Sequence, residues 1–104
     1  MNKPHNNNIE EKDLIIRLLS ALLPEATIYL FGSRARGDFK ESSDIDIAID
    51  LGRELSIREI SRAKRILEAL YIVQKIDVVD FFSAPKRLQD EILNEGIIWK
   101  KKNG

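Results

Sequence analysis

The sequence predicts an α+β domain, a small mixed β-sheet with flanking helices, and three observations carry that reading. Two stretches, 9–23 and 57–70, repeat apolar residues at helical spacing. A third, Asp44-Ile45-Asp46-Ile47-Ala48-Ile49-Asp50, alternates carboxylates with apolar residues, the period of a strand with two unlike faces. The patterns also interleave, in the order helix, strand, strand, helix, strand, helix, short strand. Neither an all-helical nor an all-strand architecture fits that order.

The 104 residues suit a single domain, placed at 9–104, behind an Asn-rich polar tail at 1–8 that is expected to be disordered. His5, the sole histidine, falls in that tail and is read as incidental. An apolar content of 43% supplies a real core. Seventeen basic and seventeen acidic residues cancel, which argues against holding long nucleic acid mainly through phosphate contacts. A small nucleotide or a protein is the better partner. No apolar run approaches the roughly 20 residues that span a bilayer, and the N-terminus has no signal-like apolar region. The absence of cysteine excludes disulfides and thiolate ligands, and the cytoplasm is the expected compartment.

The first helix should cover Ile9 to Leu23, with Leu14, Ile15, Leu18, Leu19 and Leu22 inward and Pro24 as its stop. Ala26–Phe31 is nearly continuous apolar sequence, as in a strand covered on both faces. Arg34–Phe39 is expected to continue as a short helical turn. In the second strand, Asp44–Leu51, Ile45, Ile47, Ile49 and Leu51 share one face, and Asp44, Asp46, Ala48 and Asp50 share the other. Ser56 and Glu59 have capping-box spacing, so a helix should begin at Ile57 and bury Ile57, Ile60, Ala63, Leu67 and Leu70. Lys75–Phe82 reads as the third strand. Pro85 starts a last helix with Leu88, Ile92 and Leu93 inward and Gly96 as a left-handed cap, before a short strand at Ile97–Trp99.

The chemistry concentrates between Phe31 and Asp50. Asp44 and Asp46 leave one strand face roughly 6–7 Å apart along the chain. Carboxylates that close repel unless a cation lies between them, and hard oxygen ligands suit Mg²⁺, which completes its shell with water and phosphate oxygens. Such a pair alone is weak evidence, because two exposed aspartates on an edge strand would look the same. The preceding Gly32-Ser33 corner adds weight. Its amides and hydroxyl could hold phosphate oxygens, with Arg34 and Arg36 as nearby cations. In the third strand, Asp77 and Asp80 point to opposite faces, so only one can join the pair. Asp77 is the choice, and Asp80 is expected to end its strand in solvent.

Gly32-Ser33, ten intervening residues, Asp44-Ile45-Asp46 and then Lys75-Ile76-Asp77-Val78-Val79-Asp80 resemble the DNA polymerase β-type nucleotidyltransferase superfamily, and within it the minimal nucleotidyltransferases. The likeness runs from Ile9 to Trp99. It implies that superfamily's mixed-sheet fold, with Gly32 and Ser33 on the triphosphate of ATP and two Mg²⁺ ions held by Asp44, Asp46 and Asp77. It implies attack by an acceptor hydroxyl on the α-phosphorus, releasing pyrophosphate. Larger members carry further domains that read base and acceptor, so here a partner is expected to bring the acceptor. Minimal nucleotidyltransferases are typically paired with a HEPN-domain toxin, which points to an antitoxin that adenylylates a tyrosine on that toxin.

Two other classes compete. A non-catalytic module could neutralise a toxin by occlusion, but a decayed site should have lost some of its five key residues. Transfer to RNA or a small molecule is disfavoured by the neutral charge. Trp99, Phe81 and Phe82 read as core before they read as a partner or homo-oligomer surface, and Arg58, Arg62, Lys64 and Arg65 as the solvated side of their helix.

Overall fold

The computed structural model describes residue 9 and residues 11–102, and the expected tail at 1–8, with His5, lies outside them. The elements follow the expected order: α1 (Lys12–Leu22), β1 (Thr27–Phe31), α2 (Ser33–Arg36), β2 (Ile45–Asp50), α3 (Ile57–Glu68), β3 (Ile76–Asp80), α4 (Lys86–Glu95) and β4 (Ile97–Lys100). They build one four-stranded sheet in the order β3-β2-β1-β4. β1 runs antiparallel to β2 and β4, while β2 and β3 are parallel, so the sheet is mixed.

Its two faces are unequal. Ile45, Ile47 and Ile49 of β2 join Ile28 and Leu30 of β1 in the main core, against Ile15 and Leu19 of α1 and Ala63 and Leu67 of α3. On the reverse face Ala48 packs with Phe31 and with Ile92 of α4, a smaller cluster that includes Phe81 stacked on Tyr29. That smaller cover leaves room beside α4 for the aspartates of β2.

The capping box forms as the sequence expects. Ser56 Oγ accepts from the Glu59 amide, and Glu59 accepts from the Ser56 amide and from Arg53. Those bonds hold the Glu59 carboxyl down at about 2, with the Arg53 hydrogen bond the largest cause. A lowered folded pKa adds stability above the ordinary value of 4.5, lost as pH falls through about 2. Acid unfolding of Glu59→Gln is therefore expected to show a smaller drop between those pH values, followed by circular dichroism. An unchanged acid limb would contradict this.

Several side chains depart from the sequence expectation. Ile57 is 86% exposed, Leu93 58% and Leu14 40%. Each helix rests on the sheet through a narrow stripe, Ile15 and Leu19 in α1, Ala63 and Leu67 in α3, Ile92 in α4, and these residues lie at its margins. Phe82 is also exposed, whereas Trp99 is buried. Gly96 is not a left-handed cap: its φ of −74° and ψ of 160° are extended. Glycine is required there by space, since a Cβ would strike the Ile92 carbonyl oxygen and crowd that of Leu30.

Candidate active site

The sheet register assembles the site. Phe31 pairs with Asp46 across β1–β2, and Asp46 pairs with Asp77 across β2–β3. The corner after Phe31, the Asp46 carboxylate and Asp77 are thereby neighbours on the face that carries α4. Asp44, one residue before β2, completes a group in which one carboxylate oxygen from each of Asp44, Asp46 and Asp77 lies within 4.8 Å of the others. Asp44 is exposed and the other two half-buried.

Asp46 titrates above its ordinary value. Burial is the largest cause, followed by the charges of Asp77 and Asp44 and then Glu91, with Arg36 opposing. Glu91 had no place in the sequence reading; its signal was its i,i+4 spacing with Glu95 on α4. Both flank Arg36, whose guanidinium reaches Asp38, Glu91 and Glu95 at 3.3, 3.5 and 3.6 Å.

Gly32 sits at φ +80° and ψ −158°, and a Cβ on it would run into the Asp46 carboxylate. Glycine is thus demanded twice, by backbone conformation and by the approach of Asp46. Ser33 opens α2. The first amides of a helix have no acceptor inside it, so the Ser33 and Arg34 N–H groups lack one within α2.

Arg34 departs from its expected role beside phosphate. It is buried, and its guanidinium donates to the carbonyls of Ser43, Lys40 and Glu41 at 3.1, 3.3 and 2.9 Å while lying over the Phe39 ring. A buried cation needs such partners, and the loop carbonyls supply them. Gln74, which the sequence reading passed over, donates to the same Glu41 carbonyl at 3.0 Å. Arg34 and Gln74 therefore brace the loop that delivers Asp44.

Asp80 is also placed differently. It does not end in solvent: it is buried on the α3 face and accepts from the Leu55 and Phe82 amides and the Ser83 hydroxyl. Three donors satisfy it, and it ties the β2–α3 connection to the end of β3, away from the triad.

The family described as "Polymerase beta, Nucleotidyltransferase" matches residues 14–103. The chain belongs to this nucleotidyltransferase family. The likeness first read from the Gly-Ser corner and the spaced aspartates is borne out, as is the mixed-sheet α+β fold. A Methanocaldococcus jannaschii protein, named by inference as a protein adenylyltransferase, is 37% identical over 92 residues, covering 88% of this nucleotidyltransferase and 96% of the relative. One similar structure is a toxin–antitoxin crystal structure with AMP-PNP, with TM-score 0.74 and 29% identity over 88% of this chain and 74% of that one. Another is a tri-AMPylated Shewanella oneidensis HEPN toxin in complex with its MNT antitoxin, with TM-score 0.69 and 27% identity over 88% and 71%. Among the described residues, no helix of this nucleotidyltransferase is long and apolar enough to cross a membrane.

Proposed function

We propose that the chain transfers AMP from ATP to a hydroxyl of a partner protein, a tyrosine of a HEPN-domain toxin, and so acts as an antitoxin. The observation that carries the reading is the convergence of Asp44, Asp46 and Asp77 beside the Gly32–Ser33 corner. The relatives' names, the AMP-PNP complex and the tri-AMPylated toxin support the nucleotide and the acceptor class.

The donor set fits Mg²⁺: three hard carboxylates, mutually repelling, with the central one resisting ionisation by burial. Asp44 and Asp46 would hold both of two Mg²⁺ ions, and Asp77 the one on the acceptor side. When bound, the metal supplies charge neutralisation on the phosphate oxygens and a more acidic acceptor hydroxyl.

The chain's own groups do the rest. The Gly32–Ser33 corner and the Ser33 hydroxyl hold the triphosphate tail against the aspartates. Arg36, exposed at the rim and paired with three carboxylates, is the cation able to turn toward phosphate, whereas Arg34 fixes the Asp44 loop. The acceptor oxygen forms a bond to the α-phosphorus as the bridge from the α- to the β-phosphate breaks. Pyrophosphate departs, and the hydroxyl proton leaves past the half-exposed Asp77 carboxylate. Positioning of this kind can lower the barrier by about 7–11 kcal/mol.

The test is mass spectrometry of the co-purified toxin after incubation with ATP and Mg²⁺. An AMP adduct on a tyrosine is expected. An unmodified toxin beside an intact, ATP-binding chain would refute the reading and favour neutralisation by occlusion.

A further inference from the structure

α4 reaches the candidate site through one buried residue. Ile92 packs with Phe31 and Ala48, and Phe31 is the β1 residue paired with Asp46. Its neighbour Glu91 is therefore held beside the corner and the aspartates, and Glu95 follows one turn on. After burial and the two neighbouring aspartates, the charges felt at Asp46 are those of Glu91 and Arg36.

Nothing in α4 itself favours two glutamates there. Like charges four residues apart on a helix repel. Glu95 is also the last residue of α4, where the helix dipole disfavours an anion. Stability of the fold gains little from them either. Glu91, Glu95 and their partner Arg36 are all more than a third exposed, and ion pairs of that kind contribute little. What the two glutamates change is Arg36.

Arg36 closes α2, one turn past Ser33. Its Nε donates to Asp38 at 3.3 Å, and its Nη1 lies 3.5 Å from Glu91 and 3.6 Å from Glu95. Among the described residues, Nη2 has no hydrogen-bond or ion-pair partner. The guanidinium is fastened by two of its nitrogens, with the donors of the third left over. Its planar fork of donors matches the oxygens of a phosphate.

We propose that Glu91 and Glu95 are positioning residues, which hold Arg36 so that Nη2 takes oxygens of the ATP phosphate tail. Neither glutamate touches substrate. A long flexible cation that is ordered only on binding costs affinity, and one already fixed costs less. Two carboxylates near a polyanion also repel it, so the effects oppose. Water and salt screen the repulsion between exposed charges, whereas a charge-assisted hydrogen bond acts at contact. Alignment wins.

This role rests on the adenylylation reading, and the experiment separates the two. The full chain with its toxin is assayed for AMP transfer at varied ATP and saturating Mg²⁺. Glu91→Ala combined with Glu95→Ala removes both holds on Nη1 and two negative charges. Loss of charge alone lowers KM for ATP, and loss of alignment raises it. The expected KM is about fivefold higher, with kcat unmoved because the tail is held equally before and during the chemical step. The melting temperature should not change. Glu91→Gln with Glu95→Gln keeps acceptor oxygens without the charge, and should return KM most of the way to wild type. In an Arg36→Ala background, the alanine pair should add no further rise.

A KM left unmoved or lowered by the alanine pair overturns the positioning role alone, a lowered one making the glutamates a brake on Arg36. A rise that persists without Arg36, or that the glutamine pair leaves uncorrected, overturns it too. A wild type that binds ATP but never modifies the toxin sinks the adenylylation reading, and calorimetric ATP affinities of the same variants then decide the positioning role. A wild type that binds no ATP sinks both.

Discussion

Asp46→Asn is expected to abolish AMP transfer and, at the same time, to raise the melting temperature of the metal-free protein at neutral pH. The two effects share a cause. Asp46 is the central carboxylate of the triad, half-buried and facing two like charges. Its pKa lies above the ordinary 3.8, chiefly through burial and then through Asp77 and Asp44. A raised folded pKa contributes stability that is complete below the unfolded value and is lost as pH rises through the folded one. At neutral pH the ionised side chain is therefore a burden on the metal-free fold, which the neutral amide removes. Below pH 3.8 the melting points should converge. Activity should fall by at least about a hundredfold, the scale of removing one preorganised charge-stabilising group. Mg²⁺ should raise the melting temperature of the wild type but not of the variant, because only a state that binds ligand is stabilised by it. Undiminished transfer by Asp46→Asn at saturating Mg²⁺ would refute the assignment. Equal melting points at neutral pH would refute the account of its strain.

What could be read from the chain in advance follows a physical division. Period and punctuation are local, so the alternation of β2, the capping box at Ser56 and Glu59 and the stop at Pro24 were visible and formed as expected. The pairing of Asp77 rather than Asp80 with the acidic strand was also legible, because parity on a strand sends residues three apart to opposite faces. Depth was not legible. Whether a residue at a helix margin is covered depends on how far the sheet extends beneath it, and that hid the exposure of Ile57 and Leu93. Nor could hydrogen-bond partners be assigned from composition. Arg34 next to the Gly32–Ser33 corner looks like a ligand residue until the carbonyls of Lys40, Glu41 and Ser43 fold back onto it. Asp80 looks like a solvated strand end until the β2–α3 connection brings the Leu55 amide to it. Both side chains hold loops in place, one a neighbouring loop that folds back onto Arg34 and the other a connection that arrives from far along the chain.

Gly32→Ala should damage the site from the opposite direction, by moving Asp46 instead of neutralising it. Gly32 occupies a region, φ +80° with ψ −158°, that is essentially reserved for glycine and costs other residues about 1–3 kcal/mol. The methyl group would also collide with the Asp46 carboxylate, so the strain must be relieved by rotating Asp46 away or by opening the β1–α2 corner. Either movement separates the Gly32–Ser33 corner from the acidic triad, and misplacement on the scale of an ångström costs about a hundredfold in rate. The expected result is a destabilised chain whose Mg²⁺-induced rise in melting temperature is reduced along with transfer. A double-mutant cycle with Asp46→Ala isolates the two contributions. Without the carboxylate the clash disappears, so the stability loss from Gly32→Ala should shrink to the backbone part in the Asp46→Ala background. If the loss is the same in both backgrounds, the contact between corner and carboxylate carries no energy, and the glycine is there for its backbone alone. If it shrinks, the close approach of Gly32 to Asp46 fixes the distance between the Gly32–Ser33 turn and the aspartate-bearing strand.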